Sequence, residues 1–167
     1  KLGATRLPRA CYAMADPLVH TLVAECMTHF VLNVTPYDSL ARAWELMMTN
    51  HIRRLPVIDE GRLVGIVTQT DILNAKPADP AHRLALADVA RELDNLIVST
   101  VMTKNPISIY DNDTVGHAAE LMLEHKIGGL PVVDTEGNLV GLITESNLFR
   151  LLARRWREDN LIFSGAR

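Results

Sequence analysis

The sequence predicts an α/β fold built from two copies of one unit, spanning residues 19–76 and 97–157. The first observation is an internal repeat: IRRLPVIDEGRLVGIVTQTDIL, beginning at Ile52, recurs as IGGLPVVDTEGNLVGLITESNLF, beginning at Ile127, 75 positions later. The second is that stretches with helical spacing of apolar residues alternate with β-branched stretches in both copies. The third is composition, because 48% hydrophobic and 22% charged residues are typical of a chain with a buried core.

The first helix of each copy is predicted from apolar residues at positions i, i+3, i+4 and i+7. These residues are Leu40, Ala43, Trp44 and Met47 in the first copy and Val115, Ala118, Ala119 and Met122 in the second. Asp38-Ser39 and Asp113-Thr114 precede them as candidate N-caps, because their side-chain oxygens can accept hydrogen bonds from the first turn. A second helix is expected after Thr68 and after Thr144.

A strand, a turn and a return strand are predicted after the first helix of each copy. The strands are 55–58 and 63–68 in the first copy and 130–133 and 139–144 in the second. Their β-branched residues favour strands, and glycine in each turn permits a positive φ. Short segments at 31–34 and 107–109 complete the order strand, helix, strand, strand, helix. Because one such unit is marginal alone, we expect the copies to pack around a pseudo-twofold axis, with equivalent clefts between them.

The repeats divide the chain into five predicted segments. They are an N-terminal extension at 1–18, repeats at 19–76 and 97–157, a linker at 77–96 and a C-terminal tail at 158–167. The linker is predicted to be a helix packed on the repeats, because it has an apolar side and contains neither Gly nor Ser.

Composition and charge argue against several function classes. A formal net charge of -3 gives no electrostatic reason to expect nucleic acid, and no apolar run approaches the ~18 residues of a membrane span. The start of the chain does not resemble a signal peptide, since charged residues and Pro8 interrupt it. Cys11 and Cys26 fit neither a metal pair nor a redox pair, which predicts reduced thiols in a cytoplasmic protein. No metal-ligand or catalytic motif occurs, so we expect neither a metal site, an enzyme nor a catalytic cofactor.

The doubled motif resembles that of the CBS-domain pair, also called the Bateman module. In each copy a Met-Thr pair, Met27-Thr28 or Met102-Thr103, precedes an LPV segment, an Asp-containing turn and a G-h-h-T strand end. The resemblance covers roughly residues 19–153 and implies two intertwined repeats that regulate an attached or partner protein. It also implies a ligand, commonly AMP, ADP or ATP and otherwise S-adenosylmethionine, NAD, metal ions or none. We therefore expect a stand-alone, homodimeric, regulatory pair that senses an adenine nucleotide.

The first copy carries residues suited to such a nucleotide. Gly65 lacks a Cβ, so a ligand or another backbone can approach closely. Thr68 offers a hydroxyl at the start of a helix, and Asp71 offers a carboxylate suited to a ribose diol. Arg53 and Arg54 offer guanidinium groups for phosphate, and the resemblance implies a basic residue at the position of Arg53, three before the proline.

The second copy departs from this pattern. Gly141 and Thr144 are kept, but Asn147 replaces the carboxylate and Gly128-Gly129 replaces the two arginines. Because the charged acceptor and the phosphate donors are lost, we expect a weak or empty second site. The resemblance also implies contacts with the base from the strand after a Met-Thr pair, here Lys104, Asn105 and Ile107.

The same residues also fit a second interpretation, in which their role is structural. Thr68 followed three positions later by Asp71 is also the common capping box, and Arg53-Arg54 could be a solvated edge. The chain would then be a structural, dimerisation or protein-interaction module without a nucleotide. The C-terminal stretch LFRLLARRWREDN is expected to continue the last helix, or else to serve as a contact helix with Trp156 as its anchor.

Overall fold

The chain folds into two similar halves in a computed structural model that describes residues 20–75 and 93–164. The first half contains α1 (Val23–Cys26), α2 (Leu40–Thr49), β1 (Arg54–Asp59), β2 (Arg62–Thr68) and α3 (Gln69–Asn74). The second half contains a 3-10 turn (Val98–Thr100), β3 (Thr103–Lys104), β4 (Ile109–Tyr110), α4 (Val115–His125), β5 (Gly129–Val133), β6 (Leu139–Thr144) and α5 (Glu145–Ser164). The predicted extension at 1–18 and residues 77–92 of the predicted linker lie outside the described residues.

The strands of the two repeats interleave. β3 comes from the start of the second repeat, yet it pairs antiparallel with β2 of the first, aligning Thr103 with Ile66. The reciprocal contact joins Thr28 to Leu142 on β6, with N···O distances of 2.9 and 3.0 Å in the two directions. Each Met-Thr segment therefore crosses to the return strand of the other repeat. The predicted α/β fold of two intertwined repeats is confirmed.

The two hydrophobic cores exchange residues in the same way. Val23, at the start of the first repeat, is fully buried in the core of the second, whereas Val98, 75 positions later, is fully buried in the core of the first. The backbone repeats this symmetry, because Val23 N donates to Asp113 O at 2.8 Å and Val98 N donates to Asp38 O at 2.9 Å. Burying a valine contributes about 1.5–3 kcal/mol, so each repeat stabilises its neighbour.

The predicted first helices form where the apolar spacing placed them. Most of the predicted apolar positions are buried, namely Leu40, Ala43, Met47, Val115, Ala118 and Met122. Ser39 caps α2 by accepting from Arg42 N at 3.2 Å, and Thr114 caps α4 by accepting from His117 N at 3.2 Å. The predicted caps thus begin both helices.

The short strands predicted at 31–34 and 107–109 are mostly absent. In the first repeat only Val34 pairs with β1, donating to Pro56 O at 3.1 Å and accepting from Ile58 N at 2.8 Å. In the second, the strand is Ile109–Tyr110. Pro106 has no N–H, and Asn105 has a φ of 47°, so the chain turns before it can pair. Of the residues left unpaired, Ile107 lines the first of the two clefts described below, and Val31 and Leu32 line the second.

The last described element is one long helix. α5 extends from Glu145 to Ser164, so the predicted boundary at residue 157 falls inside it. In the predicted linker, the described residues begin at Leu93, which is buried in the core of the first repeat. No helix in residues 20–75 and 93–164 combines the length and apolar character needed to cross a membrane.

Candidate ligand-binding clefts

The junction between β2 and α3 is a complete capping box. Thr68 Oγ1 accepts from Asp71 N at 3.2 Å, while Asp71 Oδ2 accepts from Thr68 N at 2.8 Å and from Thr68 Oγ1 at 2.7 Å. The other carboxylate oxygen, Asp71 Oδ1, makes no hydrogen bond with a described residue. Capping therefore uses one oxygen of Asp71 and leaves one acceptor for something else.

The first cleft, a cavity of about 470 Å³, opens beside this junction between the two repeats. It is lined by Arg53, Arg54, Ile66, Thr68, Gln69, Thr70, Asp71, Thr103, Pro106, Ile107, Lys126, Ile127, Gly128, Gly129 and Pro131. Its volume lies in the range of small-molecule sites, roughly 300–1,000 Å³. Five of the predicted site residues meet here: Arg53, Arg54, Thr68, Asp71 and Ile107.

Gly65 is not among the residues that line the first cleft. A Cβ built on it would stand 2.6 Å from Met102 Sδ and 3.2 Å from the Thr103 carbonyl oxygen. The close approach predicted at this glycine is therefore made by the crossing segment of the other repeat. At the equivalent Gly141, a Cβ would collide with the side chain of Met27, and Gly141 does not line the second cleft.

Two of the three predicted base-side residues also stay outside the first cleft. Lys104 is exposed and pairs with Gly65 in the sheet, and Asn105 makes the turn after it. Thr103 and Pro106, which flank them, line the cleft instead, together with Ile107. Alternation along the strand turns the side chain of Lys104 to the face opposite Thr103. Asn105 follows the strand and has a left-handed φ of 47°, so its position is set by the turn.

Sequence reasoning missed Lys126, which lines the first cleft from the second repeat. It is the C-cap of α4 and has a left-handed φ of 55°. His51 has nearly the same φ, 53°, 75 positions earlier, and it lines the second cleft. Both residues directly precede an Ile-x-x-Leu-Pro segment, and this shared position in the repeat is the sequence signal that could have identified Lys126.

The first cleft is electropositive. Among the described residues that line it, Arg53, Arg54 and Lys126 are cations and Asp71 is the carboxylate. Burial, with the nearby charge of Arg53, lowers the pKa of the Arg54 guanidinium, and Glu145 opposes that change. An arginine side chain keeps its proton in proteins. The lowered pKa therefore means that Glu145 compensates only part of the effect of burial and of Arg53 on the charged form of Arg54.

The second cleft, a cavity of about 320 Å³, lies at the equivalent junction between β6 and α5. Its lining consists of Thr28, Phe30, Val31, Leu32, His51, Ile52, Arg53, Arg54, Gly128, Leu142, Thr144, Glu145, Ser146, Asn147 and Arg150. Asn147 Oδ1 accepts from Thr144 N at 3.0 Å and from Thr144 Oγ1 at 2.6 Å. Its Nδ2 donates to Cys26 O at 2.9 Å, and only 8% of the residue is exposed. The polar atoms of Asn147 thus bind the protein itself.

These repeats, clefts and crossing segments define a known class of protein. The family model of the CBS domain matches the chain twice, at residues 23–78 and 98–154. The chain belongs to the CBS domain family, as the doubled motif predicted.

Comparison with individual proteins agrees with this assignment. The protein MJ1225 of Methanocaldococcus jannaschii is 34% identical over 132 residues, which cover 79% of this chain and 47% of that protein. Its crystal structure superposes with a TM-score of 0.67 at 31% identity, covering 80% of this chain and 48% of that one. The chain thus spans about half of this relative. It spans 24% of another relative, a homoserine O-acetyltransferase of Methanosarcina acetivorans that is 30% identical over 144 residues, 86% of this chain.

Two similar solved structures contain ligands. CBSX2 of Arabidopsis thaliana, in complex with AMP, is 30% identical with a TM-score of 0.68, covering 80% of this chain and 97% of that one. The CBS domain pair of protein MJ0100, in complex with 5′-methylthioadenosine and S-adenosyl-L-methionine, is 30% identical with a TM-score of 0.65. That match covers 79% of this chain and 99% of the MJ0100 pair.

Proposed function

We propose that the chain is a regulatory module that binds an adenine nucleotide in the first cleft and signals its presence to a partner protein. The observation that carries this proposal is the meeting of a carboxylate with one free oxygen, Asp71 Oδ1, and three cations in one cavity of suitable volume. A nucleotide needs both ends of such a site, since its ribose offers hydroxyl donors and its phosphates are anionic.

Different residues that line the first cleft suit the ribose, the base and the phosphates of a nucleotide. Asp71 Oδ1 would accept from the ribose hydroxyls, while Oδ2 continues to cap α3. Ile107 and Pro131 offer an apolar surface for the base. Arg53 and Lys126, both exposed at the cleft, would contact the phosphates. Charge-assisted hydrogen bonds to phosphate are about twice as strong as neutral ones, so these two residues favour an anionic ligand.

A second candidate ligand is an uncharged or cationic adenosine derivative. It is favoured by the likeness to the MJ0100 pair, whose structure holds 5′-methylthioadenosine and S-adenosyl-L-methionine. The same apolar and carboxylate walls would suit these ligands. Against it stand the three cations of the first cleft, because a positive sulfonium would be repelled by them. The likeness to CBSX2, crystallised with AMP, favours the nucleotide.

Signalling follows from the construction of the first cleft by both repeats. Thr68 and Asp71 belong to the first repeat, whereas Thr103 and Lys126 belong to the second. A ligand that contacts both would change the equilibrium between their packing arrangements by as much as its affinities for the two arrangements differ. In this proposal the module is a non-catalytic homodimer in the cytoplasm, and its regulated partner is a separate or attached protein.

A thermal-shift panel with AMP, ADP, ATP, NAD, S-adenosylmethionine and divalent metals tests the proposal. A ligand at 100 times its dissociation constant stabilises the fold by about 2.7 kcal/mol, which raises the Tm by several degrees. We expect this with AMP, ADP or ATP and not in the Asp71→Ala variant. A shift with S-adenosylmethionine alone would favour the second candidate. No shift with protein free of co-purified ligand would contradict both and favour a protein-interaction module.

A further inference from the structure

Arg54 of the first repeat occupies space that two glycines of the second repeat leave open. A Cβ on Gly129 would stand 2.5 Å from Arg54 Nη1, and a Cβ on Gly128 would stand 3.0 Å from Arg54 Nη2. The same point at Gly128 is 2.9 Å from Glu145 Oε2. The glycine pair that replaces the arginines in the second copy therefore makes room for an arginine of the first.

This position places Arg54 in the partition between the two clefts. Its side chain is half-buried, and it lines the first cleft together with Asp71 and the second together with Asn147. Arg53 also lines both cavities but is exposed. No ion pair of 4.0 Å or less joins either arginine to a carboxylate of the described residues. The charge of Glu145 acts on Arg54 from a longer distance, so both guanidinium groups can still contact an anion.

The second cleft consequently has cations that its own repeat motif lacks. Arg53 and Arg54 come from the first repeat, and Arg150 comes from α5. Glu145 is the carboxylate among the described residues of this lining. An anionic group could therefore be held in the second cleft, with Arg54 of the first repeat as one of its hydrogen-bond donors.

We propose that Arg54 is a phosphate-binding residue shared by the two clefts, so that a polyanionic nucleotide in one cleft weakens the binding of a second in the other. The inference rests on the proposed function of the first cleft. The physical reason is that one guanidinium fork can fit one phosphate at a time with both N–H groups. By linkage the weakening is reciprocal, since each ligand must change the affinity of the other by the same factor.

The test uses ADP titrations followed by NMR of ¹³C-methyl groups. Ile107 lines the first cleft alone and Leu142 lines the second alone, so their methyl signals report the clefts separately. In Asp71→Asn, ADP binds more weakly in the first cleft. Arg54 is then free to contact a phosphate in the second cleft. We expect Leu142 to titrate at about tenfold lower ADP concentration in this variant than in the wild type, the factor that one charge-assisted hydrogen bond can supply.

Two further variants identify Arg54 as the cause. In Arg54→Gln, adding Asp71→Asn should no longer change the Leu142 titration, whereas in the control Arg62→Gln, an exposed arginine on β2, the tenfold difference should persist. Gly128→Ala should reduce the difference as well, because its Cβ would displace the ends of Arg54 and Glu145 without meeting backbone atoms.

The outcomes separate this inference from the proposed function. If Ile107 titrates but the Leu142 midpoint is the same in wild type and Asp71→Asn, the clefts are independent and the shared role of Arg54 is wrong. The same holds if Leu142 never responds, or if the difference persists in Arg54→Gln, which would indicate direct repulsion between ligands. If neither methyl responds to ADP, the proposed function fails as well.

Discussion

The side-chain amide of Asn147 donates to the backbone carbonyl of Cys26 at 2.9 Å, joining the start of α5 to the end of α1. Asp71, the equivalent residue of the first repeat, has no hydrogen to donate and makes no such bond. One of the two equivalent residues is therefore tied to the fold by both polar atoms, and the other retains a free oxygen at its cleft. This difference separates a structural residue from a candidate ligand-binding residue.

Replacing Asn147 with Ala should reduce stability without weakening AMP binding in the first cleft. The variant loses two accepted hydrogen bonds and the one donated to Cys26, so the carbonyl of that partly buried residue loses this partner. Such a loss costs about 1–3 kcal/mol, or several degrees of Tm. Calorimetric unfolding measures the cost, and an AMP titration measures the binding. The neighbouring exposed Ser146→Ala is the control, and an unchanged Tm for Asn147→Ala would contradict the structural role.

Replacing Asp71 with Asn should weaken AMP binding in the first cleft without a large loss of stability. The second repeat shows that an Asn at this position still caps the helix, because Asn147 Oδ1 accepts from Thr144 N and Oγ1. The Tm should therefore stay within a few degrees of wild type, while the charged acceptor for the ribose is lost. AMP affinity, measured by titration calorimetry, should fall about tenfold or more.

The control for this prediction is Asp59→Asn, a carboxylate at the opposite end of β1 from the cleft. It should bind AMP as the wild type does. Unchanged affinity in Asp71→Asn would mean that the carboxylate serves only as a helix cap.

Local features of this fold could be predicted from the sequence, and features that depend on the crossing of the repeats could not. The caps at Ser39 and Thr68 depend on residues within three positions, so their patterns were sufficient. The position of Arg54 against Gly129 depends on the packing of one repeat on the other, which no local pattern records. For the same reason, the motif of the second copy predicts only the loss of two guanidinium groups at Gly128-Gly129, whereas in the structure the guanidinium of Arg54 from the first repeat lies against these glycines.

The glycines of the return strands should be sensitive to the methionines opposite them. A Cβ at Gly65 would stand 2.6 Å from Met102 Sδ, so Gly65→Ala should cost about 1–3 kcal/mol through overpacking. Met102→Ala removes the obstructing atom, although it costs stability itself by leaving a cavity. Chemical denaturation of the double variant should therefore show less destabilisation than the sum of the two single variants.

A coupling of at least about 0.5 kcal/mol is expected for residues in direct contact. Pairing Gly65→Ala with Met27→Ala provides the control, because Met27 lies against Gly141 instead. Additive costs for the Gly65 and Met102 variants would mean that the cost of Gly65→Ala does not arise from contact with the Met102 side chain.

The last helix carries an exposed apolar face that supports the proposed homodimer. Phe149, Leu152 and Trp156 follow helical spacing along α5, and they are 68%, 56% and 67% exposed. Covering such a face with a second copy would remove it from water, and a central Trp often dominates the energy of an interface. Trp156→Ala should therefore weaken the dimer by about 30-fold, the effect of losing about 2 kcal/mol.

Light scattering coupled to size-exclusion chromatography at several protein concentrations measures this change. Phe30→Ala is the matched control, because Phe30 is even more exposed but lies on the loop beside the second cleft and not on α5. The Trp156 variant should elute as a monomer at concentrations where wild type and the control remain dimeric. A wild type that is monomeric throughout, or a Trp156 variant as dimeric as the control, would show that this face of α5 does not join two copies.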